Sequence, residues 1–270
     1  MAEPSTGRRV LVLSEPALAR ALERAGLRAP VRFEEVTPST QEAARALARA
    51  GAPEWTLVAA AHQTEGHGRL GRAWRDRPGG SLLFSFVLRP ALEPERGGLL
   101  SLLAGAALAE ASEEIGDQRA ACKWPNDVLI AGRKAAGILA SSVLDGDRFA
   151  FVVLGVGVNL GEPPPDVPGA GAVDAEDEEL LTGFLRRFSD GYAPVHPAFA
   201  GTVIARYRER CATLGERVRA TTTDGDVVVG EATDVDDAGG LVVRTGDDEC
   251  VVRFGDVEHL SSGVGAEGLE

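Results

Sequence analysis

Lysine is almost absent from this chain. Of 28 basic residues in 270, two are lysine, Lys123 and Lys134, and the rest are arginine. Cysteine is nearly as scarce: Cys122, Cys211 and Cys250 show no paired spacing, which excludes a disulfide framework and suits free thiols in a reducing cytoplasm. Four scattered histidines, of which His62 and His67 lie nearest each other, give no zinc-ligand spacing. Long apolar runs are missing as well. Leu99 to Leu108, the longest, is too short and too broken by Gly and Ser to span a membrane, and Met1 to Arg9 has no apolar core ahead of a cleavage site. No membrane contact and no signal peptide are expected. The net charge of −13 leaves no basic footprint, which excludes general nucleic-acid binding.

What is present describes an ordinary globular chain, 44% hydrophobic and 26% charged, long enough for one large domain and a small appendage. Arg8–Ser14 reads as a short strand or lead-in. Pro38-Ser-Thr-Gln-Glu42 opens an Ala/Arg-rich helix that Gly51 stops, and Ser39 with Glu42 has capping-box spacing. Apolar runs at Leu57–Ala61, Leu82–Leu88, Val128–Ile130, Gly137–Val143 and Phe149–Val158 predict strands. Helices are expected at Gly98–Ile115, Asp177–Tyr192 and Pro197–Thr213, with a loop from Gly161 to Asp177. From Gly215 onward the pattern changes to short strands, Arg217–Ala220, Val227–Thr233, Leu241–Thr245 and Cys250–Phe254, separated by Asp/Gly turns. The whole predicts an α+β layer fold, a mixed sheet flanked by helices, followed by a small all-β unit and a frayed tail.

Both lysines fall in one dense stretch, Lys123-Trp-Pro-Asn-Asp127 and Gly132-Arg-Lys134-Ala-Ala-Gly137-Ile-Leu139. Arginine and lysine differ where a compact point charge must reach a phosphate or carboxylate oxygen, so retaining lysine only here marks the stretch as chemical. Asp127 is read three ways: as a Mg²⁺ ligand, as an orienter of Lys123, or as a turn residue. A second motif, Gln63-Thr-Glu65-Gly66-His67-Gly68-Arg69-Leu-Gly71-Arg72-Ala-Trp74, follows a strand. Its glycines let backbone approach a ligand, and its arginines carry forked donors for anions. It lacks the Gly-Lys-Ser/Thr of a Walker loop. The third, Gly155-Val-Gly157-Val-Asn159, has glycines at alternate positions of a buried strand, leaving one face bare for a flat ligand; the competing reading is a bulge.

Taken together the three motifs resemble the biotin protein ligase family, in its form without an N-terminal DNA-binding domain. The likeness covers Glu34 to Leu160 and, more weakly, Gly215 to Leu260, where the family carries an SH3-like barrel. It implies a catalytic domain over 1–214, a barrel over 215–262 and a tail over 263–270. It also implies a two-step reaction: biotin and Mg·ATP give biotinyl-adenylate, and a lysine of a biotin carboxyl carrier domain then takes the biotinyl group. By the same resemblance Lys134 and Arg69 are the catalytic pair. Ser39, Thr40, Gln63, Gly66, His67, Gly68, Arg69, Lys134, Gly137 and Gly155 would bind biotin. Arg69, Arg72, Trp74, Lys123, Asn126, Asp127 and Asn159 would bind the nucleotide, with Asp127 toward Mg²⁺. Ser39 has a rival role as helix cap, and Trp74 a rival role as core.

The chain departs from the family pattern at Gln41, Glu65 and His67, and acidic Asp174–Glu179 stands where an Ala-Thr-Ser-Leu stretch is expected. Two other readings stay open: a lipoate or octanoate ligase on the same fold, and a biotin-binding relative without catalysis. The partners expected are biotin, ATP and a carboxylase carrier domain, docked at a sheet edge near the site, for a cytoplasmic monomer or homodimer that binds no nucleic acid.

Overall fold

A computed structural model describes residues 13–253 and 255–260. Most of the expected lead-in Arg8–Ser14, and the tail from Ser261, lie outside the described residues. The helices are α1 (Glu15–Arg24), α2 (Thr40–Arg49), α3 (Gly98–Gly116), α4 (Asp177–Gly191) and α5 (Phe199–Arg208). The first seven strands are β1 (Val31–Glu34), β2 (Leu57–Ala60), β3 (Ser81–Leu88), β4 (Ala120–Lys123), β5 (Asp127–Ile130), β6 (Arg133–Asp145) and β7 (Arg148–Asn159). They form one sheet in the order β1-β2-β3-β7-β6-β5-β4, parallel only between β1 and β2. The last five, β8 (Arg217–Thr222), β9 (Val227–Val235), β10 (Leu241–Thr245), β11 (Asp248–Val252) and β12 (Gly255–His259), form an antiparallel sheet in the order β11-β10-β9-β8-β12. Mixed sheet, flanking helices and C-terminal β unit are those expected. Among the described residues no helix is long and apolar enough to cross a membrane.

One face of the large sheet carries the core. α3 is apolar on all sides and buried along most of its length, as an interior helix must be. α4 lays Phe184 and Phe188 against Phe84 and Phe86 of β3 at ring separations of 5.3–6.1 Å. The opposite face is covered only in part, by α2, which packs Ala44 and Ala48 on Val58, Val87, Phe151 and Val153. Beyond the N-terminus of α2 that face is open, and there the register sets Lys123 opposite Asp127, Asp127 opposite Gly137 and Gly137 opposite Gly157. Paired residues share a face, so both parts of the lysine stretch and the Gly155–Asn159 motif meet in one row across four strands.

Several local expectations are corrected. α5 ends at Arg208 rather than Thr213, because Cys211 pairs with Cys122 in an isolated parallel bridge closed by Cys122 N–H to Arg210 O and Ala212 N–H to Cys122 O. The expected strand Val128–Ile130 is present as β5, and it forms a hairpin with β4 whose turn holds a cis bond at Trp124-Pro125. Strands β1, β4 and β12 and helix α1 were not among the expected elements. Ser39 occupies the N-cap of α2, but its hydroxyl makes no capping bond.

Candidate active site

The glycine-arginine segment is a tight hairpin laid over the open face. Trp74 N–H bonds Gly66 O (2.8 Å) and Gly68 N–H bonds Arg72 O (2.7 Å), with Leu70 and Gly71 at positive φ at the tip. Gly66 is glycine because a Cβ there would run into the Trp74 carbonyl at 2.5 Å. His62 Nδ1, 2.8 Å from the buried Asp76 carboxylate, ties the two ends of the segment together. The hairpin drapes the Trp74 indole over Gly137 and Gly157, so near that a Cβ on either would meet the ring. The bare face expected from alternating glycines is therefore occupied by an aromatic.

Under the hairpin lies a pocket. Ser39, Thr40, Gln41 and Gln63 line it together with Ser85, Gly137, Gly155 and Gly157; His67, Gly68, Arg69, Arg72, Trp74, Asn126, Asp127, Lys134 and Asp256 line it as well. Its inner end is polar and buried, with Ser39, Thr40, Gln41 and Ser85 each at most 5% exposed. Ser39 Oγ has no partner there. Its outer end is ionic. Lys134 Nζ pairs with Asp127 at 2.7 Å and stands 6.0 Å from the centre of the Trp74 ring. Arg69 donates to Gly255 O at 2.8 Å and Arg72 pairs with Asp256, so both loop arginines rest on β12. Burial lowers the Arg69 pKa, whereas the hydrogen bond with Asp256 raises that of Arg72. Three cations face two carboxylates, leaving the outer end cationic.

A second cleft opens on the far side of Trp74 and Lys134. It is lined by both of them, by Asn159 and by Asp166–Ala170. Asn159 donates through Nδ2 to Gly171 O (3.0 Å), while its buried Oδ1 has no partner. Gly171 N–H in turn bonds Lys134 O at 2.8 Å, so the 170–173 segment braces the lysine. Of the residues expected at the site, Asn159 thus lines the second cleft, and Lys123 and Gly66 line neither. Lys123 shares the face of Asp127 in register. Ser85, Gln41 and Asp256 were not among the expected ligand-contacting residues. Ser85 sits inside a wholly buried strand that reads as core, and Asp256 arrives from the other sheet, so only Gln41, adjoining the Ser-Thr pair, carried a signal.

Two clefts share one lysine, an arrangement that can bring two anions together, and the comparisons give the class as a protein ligase. The profile of the biotin/lipoate A/B protein ligase family matches residues 33–159, and that of the biotin protein ligase C-terminal domain matches residues 213–260. The chain is 36% identical over 239 residues to the biotin–[acetyl-CoA-carboxylase] ligase of Mycobacterium tuberculosis, covering 83% of this chain and 86% of that protein. It is 30% identical over 249 residues to the bifunctional ligase/repressor BirA of Bacillus subtilis, covering 84% and 73%. The biotin protein ligase of Aquifex aeolicus, solved with biotin and ATP, superposes with a TM-score of 0.70 at 26% identity, covering 86% of this chain and 99% of that one. The chain belongs to the biotin protein ligase family.

Proposed function

We infer that this chain is an ATP-dependent biotin protein ligase. It joins the biotin carboxylate to the α-phosphate of ATP, releasing pyrophosphate. It then passes the biotinyl group to the ε-amine of a lysine on a carrier domain, releasing AMP. The observation that carries this reading is Lys134, whose ammonium lies where the polar-floored pocket and the Asn159 cleft join.

A bicyclic ureido head group fits the inner end, where Ser39 Oγ is buried and unpartnered. The acid chain then leads outward past Gly137 and Gly155 to Lys134. Two anions must be brought together for adenylation, and their repulsion is the barrier that fixed cations remove. Lys134, on exchanging Asp127 for substrate, neutralises carboxylate and phosphate at once, while Arg69 holds the product. Asn159 Oδ1 offers an acceptor for the exocyclic amine of adenine, with Trp74 as its wall. Among the described residues no group of three or more His, Cys, Asp or Glu could hold a metal ion. Asp127 alone would hold a Mg²⁺ arriving with ATP, and the ion would there offset phosphate charge. Lys123, beside Asp127 in the row, would then face the leaving pyrophosphate.

The carrier reaches this centre along β6. Only Arg133–Gly137 of that strand pair with β5, and Ile138 meets Asn126. Among the described residues the backbone from Ala140 onward has no strand partner on that side, beside a cleft that shares Arg69, Ile138 and Leu139 with the pocket. An open edge of this kind accepts an added strand.

The test is pyrophosphate release from Mg·ATP and biotin, with biotinyl-adenylate sought by mass spectrometry and lipoate and octanoate run in parallel. Adenylate from biotin, lost in Lys134→Ala, is expected. Biotin binding without adenylate would replace the ligase by a binding protein, and adenylate from lipoate alone would reassign the substrate.

A further inference from the structure

The second cleft has two walls of different origin. One is the exit of the glycine-arginine hairpin, Ala73, Trp74 and Arg75; the other is the loop that runs from Pro164 to Ala170, and Lys134 and Asn159 complete the lining. A connection with so little regular structure is ordinarily the mobile part of a site. Here its ends are held by backbone. Gly161 N–H bonds Val173 O (2.8 Å), Val173 N–H bonds Asn159 O (2.8 Å) and Gly171 N–H bonds Lys134 O (2.8 Å). Between those ends Pro163, Pro164, Pro165 and Pro168 fix φ at four of the six positions from 163 to 168. Pro164 is buried, and its carbonyl accepts from Val167 N–H (3.2 Å), which closes a turn. Little freedom is left for a further contact to remove.

That contact is ionic and comes from the other wall. Arg75 Nη1 donates to Asp166 Oδ2 at 2.8 Å, and both residues line the cleft. The bond holds the Asp166 carboxyl below its ordinary range. Farther along the hairpin exit, Arg77 donates to Leu160 O (3.4 Å) and stands 3.6 Å from Glu162. The two arginines thus bracket the run of three prolines, one at each end. A pair as exposed as Arg75–Asp166, at 65% and 56%, would scarcely stabilise an ordinary surface. On a loop already stiffened by proline it decides which position the wall keeps, not how stable the fold is.

We propose that Arg75 is a positioning residue for the nucleotide: paired with Asp166, it sets the loop wall of the second cleft in place before either substrate arrives, so that Mg·ATP binds the acid-free enzyme and the two substrates add in either order. This rests on reading the second cleft as the nucleotide site. Neither residue reacts; the pair acts through the spacing it keeps between the loop and Trp74.

Calorimetry on the unaltered chain gives the first test. The Kd for Mg·ATP without any acid is expected to lie within about threefold of its value with biotinol, the alcohol that forms no adenylate. Binding of Mg·ATP only with biotinol would overturn the inference and leave the nucleotide site standing. No binding in either case would remove the reading of the cleft itself, and this inference with it. Steady-state kinetics give the second test. Arg75→Ala and Asp166→Asn are each expected to raise the KM for ATP about two- to fivefold, with kcat and the KM for biotin unchanged, and the difference should fade as ionic strength rises. The sign in Asp166→Asn separates positioning from direct contact. Were Arg75 a phosphate ligand restrained by Asp166, removing that charge would tighten ATP. Tighter ATP in Asp166→Asn, or an equal rise of both KM values in Arg75→Ala, overturns the proposal. Arg75→Asp combined with Asp166→Arg rebuilds the pair in reverse and should return the KM for ATP to within about twofold of the unaltered chain. Failure of that rescue would overturn it as well.

Discussion

The Lys134 ammonium stands 2.7 Å from Asp127 and 6.0 Å from the centre of the Trp74 ring, and in the proposed reaction it exchanges the first for substrate at each turnover. A compact ammonium on a flexible stem can do this; a planar guanidinium would hold Asp127 in a forked pair and reach past the phosphate. Lys134→Arg keeps the charge yet is expected to cut the adenylation rate by about a hundredfold or more, with biotin affinity changed by less than about tenfold. Single-turnover pyrophosphate release alongside biotin calorimetry separates the two. Gly157 allows a different test. A Cβ there would stand 2.6–3.0 Å from three atoms of the Trp74 ring, so Gly157→Ala must shift the indole. The expected result is a change in tryptophan emission and a rise of about tenfold in the KM for ATP, with stability reduced by about 1–3 kcal/mol as for other overpacked sites. An unchanged KM would mean that Trp74 does not wall the nucleotide.

At the scale of elements, the glycine-arginine hairpin is held from both sides, by His62–Asp76 at its base and by β12 beneath its arginines. The Arg72–Asp256 pair is largely solvent-exposed, 60% and 35%, so it adds no more than about 1 kcal/mol to stability. Its effect should fall on anions: in Asp256→Asn the Arg72 charge is released, and pyrophosphate should bind about three- to tenfold more tightly at low salt, an advantage that fades with ionic strength. Weaker pyrophosphate binding in this variant would show instead that Asp256 holds Arg72 in its working position. The long elements were legible in the sequence because each has its own pattern, as in β3, β6, β7 and α3. The short ones were not. Ala-Ala-Cys-Lys has no strand pattern of its own, and β4 exists because β5 on one side and the Arg210–Ala212 backbone on the other meet its hydrogen-bonding groups. Pro197–Thr213 reads as one helix only if that pairing of Cys211 is unknown. Motif spacing likewise brought Lys134, Arg69, Arg72 and Asp127 to one pocket, but it could not tell that Ser39 leaves its cap position unbonded, or that Ser85, a polar residue in a buried strand, lines the inner end of that pocket.

The two sheets share one apolar core: Val218, Ala232, Leu241 and Val257 of the C-terminal sheet belong to the same buried cluster as α3 and β6. The Lys-Trp-Pro hairpin is built into their seam. Trp124 donates its backbone N–H to Thr213 Oγ1 (3.0 Å) and its indole N–H to Gly239 O (3.0 Å). Thr213 Oγ1 also lies 3.2 Å from His259 Nε2, so the imidazole joins the same hydrogen-bonded cluster. Burial, and secondarily Lys123, lower the His259 pKa below its ordinary 6.5. A depressed histidine has a definite sign: below pH 6.5 the unfolded chain takes up a proton that the folded chain refuses, so stability is lost as pH falls through that value toward the folded pKa and is unaffected above it. Denaturant midpoints of the unaltered chain should drop between pH 7.5 and 5.5, and less so in His259→Gln, which can still bond Thr213 but does not titrate. Because the core is continuous, tryptophan emission and backbone circular dichroism should report one coincident transition at every pH. Two separated transitions, with the acid-sensitive one confined to the C-terminal sheet, would mean that the seam does not couple the units and that His259 guards only the smaller one.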